Sequence, residues 1–207
     1  APGAAVNSGS IRVHRGGTWF GGGAGGPNGA QRAGSEFEFT KLTAEATRIQ
    51  PLAVLGDGWL LGLTATIAGQ LSDDVLPSAE KFYLGGNRLG RGFYAGQVTG
   101  DSALATSLEL TLDTRLPGFS LGGGAWSLDV EPSAQFYLFH DHGRSYESRS
   151  ADPDRRVESF GGGVRLGLTE YLQLDIEGVH RLTRRVDGAG VAPLSENAVF
   201  WRVLTRF

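Results

Sequence analysis

Apolar and polar residues alternate along most of the chain with a period of two, the pattern of β-strands that face two environments. The alternation is clearest in residues 102–115, where Leu108 and Leu110 share one face while Ser107 and Glu109 share the other. The pattern predicts about eight strands, near residues 11–20, 41–48, 59–70, 102–115, 134–141, 159–168, 172–177 and 199–207.

Two all-β folds are compatible with such strands. In a soluble sandwich one face of each strand packs on a core, whereas in a transmembrane barrel one face meets lipid. These ranges mark the clearest alternation, and we expect the whole strands to be about 11 to 16 residues long. That is longer than the roughly 5 or 6 residues of globular strands and long enough for a tilted membrane crossing. The links near 21–35, 72–101, 143–155 and 183–196 are long, and those near 51–57, 117–125 and 169 are short. Because outer-membrane barrels alternate long loops with tight turns in this way, we favour the barrel.

Composition narrows the possible functions. The 207 residues include no cysteine, so neither a disulfide framework nor thiol chemistry is expected. The formal net charge is −3 with acids and bases interspersed, which argues against a nucleic-acid partner. No apolar run reaches the roughly 18 residues that a transmembrane helix needs. The chain also contains no methionine, so we expect a processed or truncated product.

The end of the chain carries a candidate insertion signal. If the short links are periplasmic, the last strand runs inward and Phe207 lies at the periplasmic rim. Trp201 and Val203 have the parity of outward-facing residues in this strand. A terminal phenylalanine after such residues resembles the C-terminal signal that the barrel-insertion machinery reads, although the chain could simply stop at this residue. The same orientation places segment 72–101 at the outer surface.

Segment 80–96 is too long and too glycine-rich for an ordinary hairpin connection, and loops of this kind are usually functional or disordered. The segment includes Gly85-Gly86 and Arg91-Gly92-Phe93, and Gly100-Asp101 follows it. This pattern resembles the lumen-plugging loop of the two-partner-secretion outer-membrane transporters (haemolysin activation/secretion, TpsB type), within the superfamily that includes the barrel-assembly proteins. Gly90 stands where that family usually has valine.

The resemblance implies that Arg91 anchors the loop inside a barrel. A loop in a lumen needs such an anchor because holding it there costs conformational entropy, and a guanidinium can grip a carboxylate with two hydrogen bonds. Two acids on polar strand faces are candidates, Glu109 and Asp141. Segment 139–143 resembles the family's F-x-D-x-G strand motif, in which Phe139 and Asp141 would receive the arginine. The alternative is a solvated arginine among ordinary surface acids.

Two glycines, Gly161 and Gly163, lie on the inward parity of their strand. Glycine within a strand often marks a close approach or a bend. A similar G-x-G occurs in the family, so we expect these glycines to make room for another backbone. They could equally relieve barrel curvature, which Gly162 on the opposite face supports.

Enzymatic interpretations are weak. His140 and His142 flank Asp141, but strand parity puts both rings opposite the acid, which argues against a metal site. No nucleophile motif surrounds the nearby serines, and segment 86–90 lacks the lysine and the Ser/Thr of a phosphate-binding loop. We therefore predict no catalytic residues, no cofactor and no metal.

Together these features predict an all-β antiparallel transmembrane barrel with about eight strands present. Eight strands enclose too little space for segment 72–101, so we expect residues 1–207 to be the C-terminal half of a barrel with roughly sixteen strands. The resemblance implies a Gram-negative outer-membrane pore that secretes a large adhesin- or haemolysin-type exoprotein without ATP, surrounded by outer-membrane lipid. The alternatives are a barrel-assembly or lipoprotein surface-display insertase, and a small self-contained barrel acting as an adhesin or a lipid-modifying enzyme.

Overall fold

The computed structural model describes residues 3–17, 32, 34–35, 37–56, 58–123, 126–149, 151–186 and 190–206. Within them one antiparallel sheet has eight long strands in the order β1-β2-β3-β6-β9-β10-β11-β12. Their bounds are β1 Val6–Arg15, β2 Thr40–Leu55, β3 Trp59–Leu71, β6 Ser102–Arg115, β9 Ser133–Tyr146, β10 Arg155–Thr169, β11 Leu172–Arg181 and β12 Asn197–Thr205. The predicted antiparallel all-β fold is confirmed. The sheet is open in the described residues, with β1 and β12 at its edges.

The two faces of the sheet differ in the way the alternation predicts. We call the outer face the one with exposed apolar side chains, among them Leu104, Leu108, Leu110, Phe136, Leu138, Phe160, Ile176, Val199, Trp201 and Val203. Leu110 is 40% exposed and Leu138 is 65% exposed. The opposite, inner face carries polar and small residues. A soluble sandwich would cover such leucines with a second sheet, and the described residues provide none.

The inner face is covered by the connection between β3 and β6, residues 72–101, which we call the long loop. Four of its apolar side chains are buried against small residues of the sheet. The loop contributes Leu84, Leu89, Phe93 and Val98, and the strands contribute Ala68, Ala105 and Val157. Short side chains on the strands leave space for the loop, so burial of these residues stabilises the docked position.

The long loop has its own regular structure, which the sequence did not suggest. It contains a 3-10 turn at Ser78–Glu80 and a small hairpin of β4 (Phe82–Leu84) and β5 (Val98–Gly100). Between the two strands the chain turns back sharply at glycines with positive φ, including Gly90 at 86° and Gly92 at 90°. Other residue types rarely adopt these angles, so the glycines allow the tight tip.

Three sequence-based bounds are wrong. The link expected near residues 51–57 is shorter, because β2 continues to Leu55. The connection near residues 117–125 is not a short turn, because it contains a second hairpin of β7 (Phe119–Gly123) and β8 (Trp126–Val130). The first strand is Val6–Arg15 instead of residues 11–20. Its register is set by ten consecutive pairs with β2, from Val6 opposite Ile49 to Arg15 opposite Thr40.

No helix in the described part of the chain is long and apolar enough to cross a membrane.

Candidate loop-anchoring site

The tip of the long loop is fixed to β9 through Arg91 and Asp141. The side chain of Asp141 is fully buried, and the Arg91 residue is 4% exposed. The guanidinium donates from Nε to Asp141 Oδ2 at 3.0 Å and from Nη2 to Oδ1 at 2.8 Å. The backbone amides of Gly90 and Arg91 donate to Oδ2 at 3.1 and 2.8 Å. One carboxylate therefore holds both the side chain and the backbone of the loop.

Two residues of β6 complete the contact. Arg91 Nη1 donates to Glu109, and Nη2 donates to the Ser107 hydroxyl at 3.0 Å. Ser107 in turn donates to Asp141 Oδ1 at 2.7 Å. Strand register explains why these groups meet, since Ser107 lies opposite Asp141 and Glu109 lies opposite Phe139. Every side-chain nitrogen of Arg91 therefore has an acceptor, as a buried guanidinium requires.

The ring of Phe139 packs against the guanidinium of Arg91. The Arg91 Cζ atom lies 3.7 Å from the centroid of the Phe139 ring, a distance at which a cation is attracted to the ring face. A second arginine, Arg165 of β10, lies in the same way over Tyr137, two residues before Phe139 on β9, with its Cζ atom 3.9 Å from the ring centroid. The two rings are 6.3 Å apart, so the two cations occupy neighbouring aromatic platforms.

The backbone of β11 and the aromatic rings of β9 lie close to Gly161 and Gly163. A Cβ atom on Gly161 would lie 2.8 Å from the Phe139 ring, and one on Gly163 would lie 2.7 Å from the Tyr137 hydroxyl. The atom nearest to each such Cβ is a backbone carbonyl oxygen of β11, from Gly178 and Ile176 respectively. Because Gly161 and Gly163 have no side chains, the Phe139 and Tyr137 rings of β9 can pack against β10. The Phe139 ring in turn contacts the guanidinium of Arg91.

Arg165 is a functional candidate that sequence reasoning did not single out. Its Nη1 and Nη2 atoms donate to the two oxygens of Glu109 at 2.7 and 3.0 Å. Glu109 therefore bridges Arg91 of the loop and Arg165 of the wall. Arg165 also donates to Gln135, whose amide donates to Asp113 at 2.6 Å. The inward parity of Arg165 marks it in the sequence as a residue of the inner face. Its hydrogen-bond partners cannot be read from the sequence, because they depend on strand register.

Two more wall residues hold the loop backbone. The Ser159 hydroxyl donates to the carbonyl oxygen of Arg91 at 2.5 Å, and Arg181 Nε donates to the carbonyl oxygen of Gly92. Arg181 is 5% exposed and also donates to the carbonyl oxygen of Ser195 at 2.7 Å. Carbonyl oxygens of a buried tip need such donors, because no regular ladder satisfies them.

A second ionic cluster lies at the base of the long loop. Arg32, from the connection between β1 and β2, contacts Asp101 at 2.6 Å, Glu147 at 2.7 Å and Asp152 at 2.8 Å. Burial disfavours the charged guanidinium, yet the hydrogen bonds to Asp101 and Asp152 outweigh this and raise the pKa of Arg32. Asp152 has a lowered pKa, chiefly because Arg32 donates a hydrogen bond to it. We call these residues, together with Lys81, which contacts Glu147 at 2.7 Å, the base cluster.

The remaining sequence candidates are distributed as follows. His140 points to the outer face, opposite in parity to the buried Asp141, and its side chain is 46% exposed. Trp201 and Val203 are 74% and 50% exposed on the outer face. Phe207 lies outside the described residues, so its role as an insertion signal stays a prediction.

The sequence matches the family described as haemolysin secretion/activation protein ShlB/FhaC/HecB over residues 1–166. The chain belongs to this family. The ShlB/FhaC/HecB family is a family of two-partner secretion transporters. No curated protein sequence matches the chain.

A solved structure supports the same fold for this ShlB/FhaC/HecB family member. CdiB from Escherichia coli superposes with a TM-score of 0.66 at 22% sequence identity, over 97% of this chain. The alignment covers 33% of CdiB, so the chain spans about a third of the length of that protein.

Proposed function

We propose that the full-length protein is a Gram-negative outer-membrane pore that secretes a large partner exoprotein, of the adhesin or haemolysin type, without ATP. In this proposal the chain forms the C-terminal part of a barrel with roughly sixteen strands, since eight strands enclose only side chains. The outer face contacts outer-membrane lipid, and the barrel-insertion machinery recognises the last strand. Family membership supports the secretion role, and the outer face with its exposed leucines supports the membrane location.

The long loop is proposed to be a plug inside the pore that Arg91 holds in place. The observation that carries this proposal is the buried contact between Arg91 and Asp141, in which the carboxylate accepts four hydrogen bonds from the loop tip. A cavity of about 320 Å³ lies beside the tip, lined by residues that include Phe93, Tyr137 and Glu177. The docked tip therefore leaves unfilled space against the strands.

The first experiment measures secretion of the partner exoprotein by cells that produce the Arg91→Ala variant. We expect secretion to fall strongly, because the loop loses its anchor, while insertion into the outer membrane stays close to wild type. The matched control is Arg88→Ala in the same loop, since the Arg88 side chain is 60% exposed and, among the described residues, forms its ion pair with Glu45. Secretion should be almost unchanged in that control.

Wild-type secretion by the Arg91→Ala variant would show that the anchor is dispensable for transport. Loss of the protein from the outer membrane, in contrast, would assign Arg91 to assembly. Heat-modifiable migration of the protein on a gel separates folded from unfolded barrels and therefore distinguishes these two outcomes.

A further inference from the structure

The outer face of β9 and β10 carries basic side chains at the end of the strands nearest the long loop. Arg144, His140 and Arg156 are all exposed there, with the Arg156 side chain at 57%. Glu158 forms an ion pair with Arg156, and its carboxylate lies 3.2 Å from the ring of His140. Two guanidiniums thus share a surface with one carboxylate.

The register of the two strands places the guanidiniums side by side. Arg156 lies directly opposite Arg144 in the antiparallel pair. Like charges directly opposite each other destabilise a sheet, unless an anion lies between them. Within the described residues Arg144 has no carboxylate at ion-pair distance, and its Cζ atom instead lies 4.9 Å from the centroid of the Tyr146 ring. Arg156 is therefore paired with Glu158, whereas Arg144 has no carboxylate partner in the described part of the chain.

The position of the pair along β9 fits a membrane interface. A tilted strand needs about 9 to 11 residues to cross the hydrocarbon layer. Along the outer face of β9, Phe136 and Leu138 are apolar whereas His140, His142 and Arg144 are polar, so the apolar band ends before Arg144. Tyr146, 40% exposed, is the next residue of β9 on the same face after Arg144, as in the aromatic girdles of membrane barrels. Arg144 and Arg156 would thus lie at the level of lipid headgroups.

We propose that Arg144 and Arg156 bind the phosphate of an anionic lipid headgroup in the outer leaflet. A guanidinium offers a planar fork of donors that matches phosphate oxygens, so one phosphate between the two arginines would remove their repulsion. The Tyr146 ring holds the Arg144 side chain from one side. This inference rests on the proposed function, because it requires the outer face to contact lipid.

The test is a titration of the purified full-length protein, in neutral detergent, with lipid A or with dephosphorylated lipid A, followed by native mass spectrometry. Wild type should bind lipid A more tightly than the dephosphorylated lipid. Affinity for lipid A should fall roughly fivefold for each of the substitutions Arg144→Gln and Arg156→Gln, since a surface cation contributes about that much to anionic-lipid binding. The matched control is Arg48→Gln, an exposed outer-face arginine of β2 that lies opposite Ala65 and donates to Asn7 and Gln50.

Equal affinity of wild type and the double variant for lipid A would overturn the proposal, as would an equal loss in the Arg48→Gln control. Inorganic phosphate bound as tightly as lipid A would show a free-anion site and would equally contradict a lipid role. The proposed secretion function is tested separately by secretion in the double variant, which we expect to stay near wild type. A protein that fractionates away from the outer membrane would refute both ideas together.

Discussion

The contact between Arg91 and Asp141 can be measured as a free energy of loop docking. Replacing Arg91 by alanine removes two hydrogen bonds to the buried carboxylate, from Nε and Nη2. Hydrogen bonds to charged groups contribute about 1.5 to 3 kcal/mol each, and breaking a buried ion pair costs about 3 to 5 kcal/mol. Asp141 would keep its two backbone donors and Ser107, and lumen water can enter. We therefore expect a smaller loss, about 2 kcal/mol.

The assay reads exposure of the loop directly. A cysteine at position 89 replaces a loop leucine that is 7% exposed, so a maleimide reaches it only when the loop opens. A loss of about 2 kcal/mol raises the open fraction, and hence the labelling rate, roughly thirtyfold. Arg88→Ala in the same background is the control and should label at the parent rate.

A double-mutant cycle shows whether the two side chains act together. Asp141→Ala should also accelerate labelling, and the double variant should label little faster than either single variant, because coupled pairs are not additive. Two effects that simply add would mean that Arg91 and Asp141 act independently. An unchanged labelling rate in Arg91→Ala would refute the anchoring role altogether.

Three further outcomes are expected. Arg165→Gln should weaken loop docking less than loss of Arg91, because Glu109 keeps its contact with the loop; the same labelling assay measures this, and an effect larger than that of Arg91→Ala would contradict it. Gly90→Val should strain the tip by about 1 to 3 kcal/mol, because φ at this position is 86°. We expect faster maleimide labelling at position 89. An unchanged labelling rate would contradict the predicted strain. The ion pair of Arg32 with Asp152 should persist above the ordinary carboxyl pKa of 3.8 and be lost as pH falls through the lowered pKa of Asp152 in the folded protein. The rate of proteolysis of the loops, measured against pH, reports the loss of this contact. Loops that become more sensitive to protease as pH rises would contradict the prediction.

Much of the fold could be predicted because alternation assigns each strand residue to a face. The parity that separates Leu110 from Glu109 holds in the structure, where Leu110 is 40% exposed and Glu109 contacts the loop. Alternation does not reveal hairpins in glycine-rich links, because the residues of a turn and of a short twisted strand look alike there. Alternation therefore does not predict the β7–β8 hairpin, and it places the first strand too late in the sequence.

The site was only partly accessible from the sequence. Arg91, Asp141 and Glu109 could be named, since each belongs to a local motif or an inward position. The contributions of Arg165 and Ser159 could not, because they depend on which residues face each other across strands 50 or more positions apart in sequence, as with Arg165 and Glu109. The base cluster around Arg32 joins segments still farther apart, up to the 120 residues between Arg32 and Asp152.

The position of the long loop is tested most directly by an electron cryo-microscopy structure of the full-length protein in a lipid nanodisc. The account predicts a closed barrel with Leu110 and Leu138 facing the lipid, and density that joins the Arg91 guanidinium to the Asp141 carboxylate inside it. A loop lying outside the barrel, with the guanidinium in bulk water and the carboxylate bound to another group, would contradict it.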